Sequence, residues 1–310
     1  MTSTPASFAV IADSSDLLVK AFAAAGADET LVTHFHGQPD EETMIARTAG
    51  YPVIVVNDSC VTARVMDANP ALRQILFLGT GAANFVDLDA AAQRGIPVHT
   101  IKGYGDRAVA EHTIALLFAV WRDIPAQDAT IRSGGWHGAP IGELLGKTIG
   151  LVGLGAIGQE VARIASALGM TVIAWARRPI DLPGVKQVDL DTLLARADIV
   201  SPHLAFTPET AGILDAAKLR SMKRGAVFIN TARAELTDEA EILAMLEDGH
   251  LAGAGLDVFL REPLPVDHPM RRAPRAVLTA HTGWYSPEAV TRLVGRGVEI
   301  LKAERAALGL

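Results

Sequence analysis

The chain has 310 residues, of which 49% are hydrophobic and 20% charged, with a formal net charge of −7 and one cysteine. That length suits two domains, each large enough for its own core. The acidic balance argues against a basic face that tracks nucleic-acid phosphates, and Cys60 alone excludes an intrachain disulfide and a cysteine metal cluster.

A lone cysteine fits a reducing compartment, and Cys60 is read as a small buried or half-buried hydrophobe. No basic segment followed by an apolar one opens the chain, and the apolar run near Ile114–Trp121 is too short to span a bilayer. The expectation is a soluble, cytoplasmic protein with neither membrane nor nucleic acid as partner.

Short apolar runs alternate with helical patterns along the whole chain, which predicts α/β architecture with parallel sheets. In the first third, Phe8–Ile11, Leu31–Thr33, Val53–Val56, Gln74–Phe77 and Ile96–His99 are strand candidates separated by alanine- and leucine-rich helices. A second series starts at Lys147, with strands at Ile149–Val152, Thr171–Trp175, Ile199–Ser201, Val227–Asn230, Gly253–Asp257 and Ala276–Thr279. Helices at Gly158–Leu168 and Thr237–Gly249 lie among them, the latter opened by Asp238 and Glu241 at capping-box spacing. Pro287 to Ala307 is one long helix. Two doubly wound parallel-sheet domains follow, the second with a six-stranded dinucleotide fold.

The strongest local signal is Gly153-Leu154-Gly155-Ala156-Ile157-Gly158, placed after a strand and opening a helix. The first glycine permits the tight turn, the second lets backbone approach a pyrophosphate, and the third allows close helix–strand packing. The helix N-terminus then offers N–H groups and its positive dipole end to the anion. At the end of the next strand, Trp175-Ala176-Arg177-Arg178 carries no carboxylate where an NAD site usually has one. Arg177 and Arg178 suit a 2′-phosphate, so NADP(H) is the preferred cofactor, with NAD(H) possible.

Three more residues stand at strand ends: Arg233, Glu262 and His281. Reduction of an oxo acid needs a cation for the carboxylate and a proton donor for the carbonyl, which Arg233 and His281 supply. Glu262 beside His281 favours the protonated imidazole. With the segments Ala108–His112, Gly146-Lys147-Thr148, Asn230-Thr231-Ala232-Arg233, Gly255–Phe259, Glu262–Pro265 and His281 with Gly283, the sequence resembles the D-isomer-specific 2-hydroxyacid dehydrogenases from about Gly79 to His281.

The resemblance implies a flavodoxin-like substrate domain, 1–101 plus 283–310, a Rossmann cofactor domain, 102–282, and an active site in the cleft between them. It implies that Arg233 binds the substrate carboxylate, that His281 moves the proton with Glu262 as partner, and that Asp257 orients the nicotinamide. Thr231 joins the nucleotide contacts, and Gly79, Thr80 and Gly81 offer N–H groups to the substrate. It implies a homodimer joined through the cofactor domain, with Trp136 in a dimer arm. The substrate is then a small 2-hydroxy or 2-oxo acid, such as glyoxylate or hydroxypyruvate.

Phosphoglycerate, D-lactate-type and phosphite dehydrogenases are alternatives on the same fold, as is a nucleotide-responsive, corepressor-like binding protein. Ala234 and Ala280 replace residues usual in the family, the Ala82–Asp87 segment is altered, and Trp284 and Tyr285 stand where small residues are usual, so that one or other of them is expected to narrow the pocket. His112, Glu111, His99 and His203 have structural readings (for His203, packing or lining of the nucleotide site), Lys102 is a solvated hinge residue, and His34 with His36 makes no metal site.

Overall fold

In the computed structural model, residues 7–138 and 140–309 are described. Residues up to Gly105, together with those from Ser286, form one compact unit, and Asp106–Tyr285 form a second. The expected ends at 101 and 282 fall a few residues earlier.

The first unit runs β1 (Ala9–Ser14), α1 (Asp16–Ala24), β2 (Val32–His36), α2 (Glu41–Thr48), β3 (Val53–Val56), α3 (Ala63–Ala68), β4 (Gln74–Phe77), α4 (Leu88–Gln93) and β5 (Val98–Thr100). Its sheet is parallel, in the order β2-β1-β3-β4-β5. The inner strands β1, β3 and β4 are buried along their whole length, whereas the edge strands β2 and β5 carry histidine and threonine and are mostly half-exposed. All four residues of β3 are buried, and three are valine and one isoleucine, whose branched side chains suit extended backbone. Ile54, Ile75, Met44 and Val65 meet in the core on one face. Ser15, Asp40, Thr62 and Asp87 cap α1 to α4 by accepting a backbone N–H of the first turn.

The second unit runs α5 (Asp106–Trp121), α6 (Ile124–Arg132), β6 (Thr148–Val152), α7 (Ala156–Ala167), β7 (Thr171–Trp175), β8 (Val185–Gln187), α8 (Leu190–Arg196), β9 (Ile199–Pro202), α9 (Ala216–Arg220), β10 (Ala226–Asn230), α10 (Glu239–Glu247), β11 (Leu251–Leu256) and β12 (Ala276–Leu278). Its sheet has seven parallel strands in the order β12-β11-β10-β9-β6-β7-β8. The helix α11 (Pro287–Ala307) follows and belongs to the first unit, where Gly297 faces Leu78 and Ile101.

Two clusters fill the faces of the larger sheet, one around Phe228, Leu193 and Met245, the other around Leu117, Leu151 and Val161. Helix α5 lies close on β11 because that strand carries glycine where it faces the helix. A Cβ on Gly253 would come 2.6 Å from Val120, and one on Gly255 3.0 Å from Leu116.

Several expectations change. The second sheet has seven strands rather than six, because Val185–Gln187 pairs with β7 at the edge. The fifth strand of the first unit starts at Val98 rather than Ile96. The capping box is half-formed: Asp238 accepts the Glu241 N–H, but the Glu241 carboxylate pairs with Arg220 instead of reaching back. Cys60 is exposed, since the neighbouring Ser59 is the residue turned inward by its N–H bond to Asp13. His34 bonds Ser14 and His36 pairs with Asp16, and among the described residues no three His, Cys, Asp or Glu side chains gather as metal ligands. No helix among them is long and apolar enough to cross a membrane.

Candidate active site

Because every strand of the larger sheet runs the same way, all its carboxyl ends meet one edge, where open α/β sheets bind ligands. Along that edge the strand order sets the order of functional groups: His281 after β12, Asp257 and Glu262 after β11, Thr231 and Arg233 after β10, His203 after β9, the Gly153 loop after β6, and Arg177 and Arg178 after β7.

The three glycines of the loop differ in surroundings. Gly153 has φ +114°, and a Cβ there would stand 2.7 Å from the His203 carbonyl oxygen. A Cβ on Gly158 would stand 2.3 Å from the Gly153 oxygen, so helix and loop close together only without it. At Gly155 a Cβ would meet nothing within 4 Å, so the backbone is open to an approaching group. Gly155 also starts α7 with no side-chain cap, whereas α1–α4 and α8–α11 each start on a Ser, Thr or Asp that accepts an N–H. Open N–H groups at the positive end of a twelve-residue helix fit a pyrophosphate.

Arg177 and Arg178 are exposed and in no ion pair among the described residues. Their turn is fixed by Gln187 of β8, which accepts the Ile180 N–H at 2.7 Å and donates to the Arg178 carbonyl at 3.2 Å. The edge strand missing from the sequence reading therefore shapes the cationic turn. Burial pushes the His203 imidazole down to about 4, so it is neutral at physiological pH.

His281 Nδ1 lies 2.7 Å from Glu262 Oε2, and each side chain is 35% exposed. The other Glu262 oxygen accepts the Phe259 N–H at 2.9 Å. Burial works to raise the Glu262 carboxyl, but the bonds from His281 and Phe259, with the charges of His281 and Arg233, outweigh it and hold the group below the usual range. With Nδ1 committed to the carboxylate, Nε2 is the ring nitrogen left for another partner.

Asn230 braces the Arg233 turn, its amide donating to the Arg233 carbonyl at 3.0 Å and accepting the Ala232 N–H at 2.9 Å. Thr231 is buried and its hydroxyl is spent on Thr113 of α5 at 2.8 Å. Asp257, expected beside the nicotinamide, has a side chain only 2% exposed. Its Oδ1 accepts the Thr279 hydroxyl at 2.6 Å and the Thr282 N–H at 3.0 Å, while Oδ2 accepts the Gly283 N–H at 2.9 Å. Its carbonyl accepts the His281 N–H at 2.8 Å. His112 Nε2 in turn lies 2.9 Å from the Thr279 hydroxyl; Asn230 and His112 lie in motifs the sequence showed, but no local pattern marked these contacts or Thr279.

In the first unit, Gly79–Gly81 follows β4. The Gly79 N–H is already given to the Phe77 carbonyl at 2.9 Å, which leaves those of Thr80 and Gly81 without an acceptor among the described residues. Ala82–Asn84 of the altered segment forms a 3₁₀ turn directly after it.

Burial alone raises the Asp257 carboxyl, but the His112 imidazole beside it and the bonds from Thr279, Gly283 and Thr282 overcome it and the group titrates below its ordinary value of 3.8. Its stabilising effect is thus complete above that value and is lost as the pH falls through the lowered one. Asp257→Asn is expected to cost about 3 kcal/mol at pH 7, since an amide turns a donor toward the N–H groups of the turn. In urea unfolding, the gap from wild type should narrow as the pH drops below 3.8; a gap that is constant with pH would contradict the assignment.

The model for the D-isomer specific 2-hydroxyacid dehydrogenase NAD binding domain matches residues 114–283. The D-3-phosphoglycerate dehydrogenase of Mycobacterium tuberculosis is 38% identical over 302 residues, covering 95% of this chain, which spans only 56% of that relative. The glycerate dehydrogenase of Methylorubrum extorquens is 36% identical over 272 residues, with 84% of this chain and 85% of the relative covered. Among solved structures, an acyclic imino acid reductase in complex with NADPH and D-Arg superposes with a TM-score of 0.85 at 31% identity, covering 96% of this chain and 97% of its own. On sequence and fold together, the chain belongs to the D-isomer-specific 2-hydroxyacid dehydrogenase family.

Proposed function

We propose that the chain is an oxidoreductase moving a hydride between NADP(H) and C2 of a small 2-hydroxy or 2-oxo acid, in the manner of a glyoxylate or hydroxypyruvate reductase. The observation that carries this reading is the 2.7 Å His281–Glu262 pair on the same sheet edge as Arg233 and the uncapped α7 N-terminus. When bound, the nicotinamide supplies the hydride in reduction and accepts it in oxidation. Arg233 holds the substrate carboxylate and polarises the 2-oxo group. His281 gives a proton from Nε2 to the carbonyl oxygen in reduction and takes it back in oxidation, while Glu262 on Nδ1 stabilises the imidazolium.

The Gly153–Gly158 loop and α7 hold the pyrophosphate, and Thr231 belongs to the nucleotide site farther along the edge. Asp257 orients the nicotinamide end through the turn it holds. On the first unit, Thr80 and Gly81, whose N–H groups have no acceptor among the described residues, are the proposed backbone donors for a substrate. Glycerate oxidised at C2 is hydroxypyruvate, so the glycerate dehydrogenase relative supports this substrate class. Phosphoglycerate is the second substrate to try, on the strength of the mycobacterial relative.

Initial rates of NADPH and NADH oxidation with glyoxylate, hydroxypyruvate, its 3-phosphate and pyruvate test the proposal. His281→Asn is expected to lower kcat about 10²–10⁴-fold; tight nucleotide binding with no turnover on any acid would instead indicate a binding protein. Arg177 and Arg178 support NADP(H), as does the neighbour solved with NADPH. Replacing both with serine should cut the NADPH-over-NADH preference in kcat/KM roughly 10–100-fold, the worth of one charge-assisted bond. A wild-type preference for NADH sinks the cofactor reading alone.

A second copy is the proposed partner, joined through the second unit. None of the nine residues of α6 is buried, Ile131 on it is 54% exposed, and Trp136 beyond it is 90% exposed. Light scattering after size exclusion should give a dimer for the wild type and a monomer for Ile131→Ser/Trp136→Ser. A monomeric wild type would refute the pairing. A single cysteine suits the reducing cytoplasm.

A further inference from the structure

We infer that His112 and Thr279 are positioning residues for His281, linked to it by a hydrogen-bonded chain that runs from α5 through Asp257 to the turn bearing the imidazole. The inference rests on the reading of His281 as the proton-transfer group.

The direction of the chain follows from hydrogen counting. Thr279 has one hydroxyl hydrogen and gives it to Asp257 Oδ1, 2.6 Å away. The contact of 2.9 Å between Thr279 Oγ1 and His112 Nε2 therefore has the imidazole as donor, which fixes a hydrogen on Nε2. His112 Nε2 also lies 3.4 Å from Asp257 Oδ1. Asp257 passes the constraint on, since its carbonyl and two carboxylate oxygens accept the N–H groups of His281, Thr282 and Gly283 in succession.

The His112 ring also backs the turn sterically. A Cβ on Gly283 would come 2.9 Å from Asp257 Oδ2 and 3.2 Å from His112 Cδ2, so the turn rests on both groups. His281 itself holds φ +53°, a left-handed conformation that a non-glycine residue keeps only where its surroundings impose it. Side-chain exposures of 23% for His112 and 2% for Asp257 leave little water to replace a lost partner. The next residue on α5, Thr113, bonds Thr231 of the stretch that carries Arg233. One helical turn of α5 thus braces both the proton-transfer and the carboxylate-binding ends of the sheet edge.

The test compares Thr279→Val with Thr279→Ser, and His112→Asn with His112→Gln, with His281→Asn in parallel. Serine keeps the hydroxyl, and glutamine places an N–H near the position of Nε2, whereas valine and asparagine do neither. Thr279→Val and His112→Asn are expected to lower kcat on the order of 10²-fold, the cost of a catalytic group misplaced by about an ångström. KM for the acid and the Kd for NADPH should stay near wild type, because the loss falls on the transition state. The serine and glutamine variants should restore most of the turnover, and hydrogen–deuterium exchange across residues 279–284 should quicken only in the valine and asparagine variants.

Unchanged kcat in both disruptive variants, with His281→Asn inactive, would overturn the inference. Full turnover in His281→Asn overturns the proton-transfer reading instead, while the exchange data still report on the hydrogen-bonded link. If Thr279→Val does not fold, the pair of His112 variants decides.

Discussion

The candidate site depends first on one buried carboxylate. Asp257 accepts three successive backbone N–H groups, of His281, Thr282 and Gly283, through its carbonyl and both side-chain oxygens. A left-handed histidine costs roughly 1–2 kcal/mol of local strain, which a few charge-assisted bonds of about 1.5–3 kcal/mol each offset. With that turn fixed, the imidazole meets Glu262 at 2.7 Å. Without it, Glu262 keeps its bond from the Phe259 N–H, but the backbone of His281 loses the anchor that presents the ring to it.

A second constraint is what the fold leaves open. Most helices close their first turn with a Ser, Thr or Asp cap, and α7 does not. The three glycines of its approach loop remove side chains from the places where backbone must close on backbone, or stay clear for a ligand. The strand order brings this uncapped terminus to the middle of the sheet, between β9 and β7, with the acid–base pair at the β11–β12 end. A ligand that lies along the edge therefore spans both, and the parallel strands alone determine that arrangement.

Much of the architecture was legible because the strands are buried on both faces. Val53–Val56, Ile75–Phe77 and Val172–Trp175 stand out as continuous apolar runs, and each lies within a strand. The 21-residue helix Pro287–Ala307 shows its serine cap and its apolar stripe in the sequence. By contrast, Val185–Gln187 is a three-residue edge strand with a lysine at its centre, and a half-covered edge leaves no apolar run to find. Local motifs located Arg233, Glu262 and His281. The contacts that brace them join His112 to Thr279 and Thr113 to Thr231, across 167 and 118 residues. Such pairings come from the packing of α5 on the sheet and leave no local pattern.

The return of α11 to the first unit bears on how the chain is made. A ribosome releases β1 to β5 early, yet their companion helix, with Val290, Leu293, Val294, Val298 and Leu301 buried along one stripe, emerges only after the whole second unit. Domains fold as units in the order they leave the ribosome, so the part synthesised first is the part completed last. Until then its sheet keeps an apolar face uncovered, the kind of surface that makes a partly folded chain prone to aggregate.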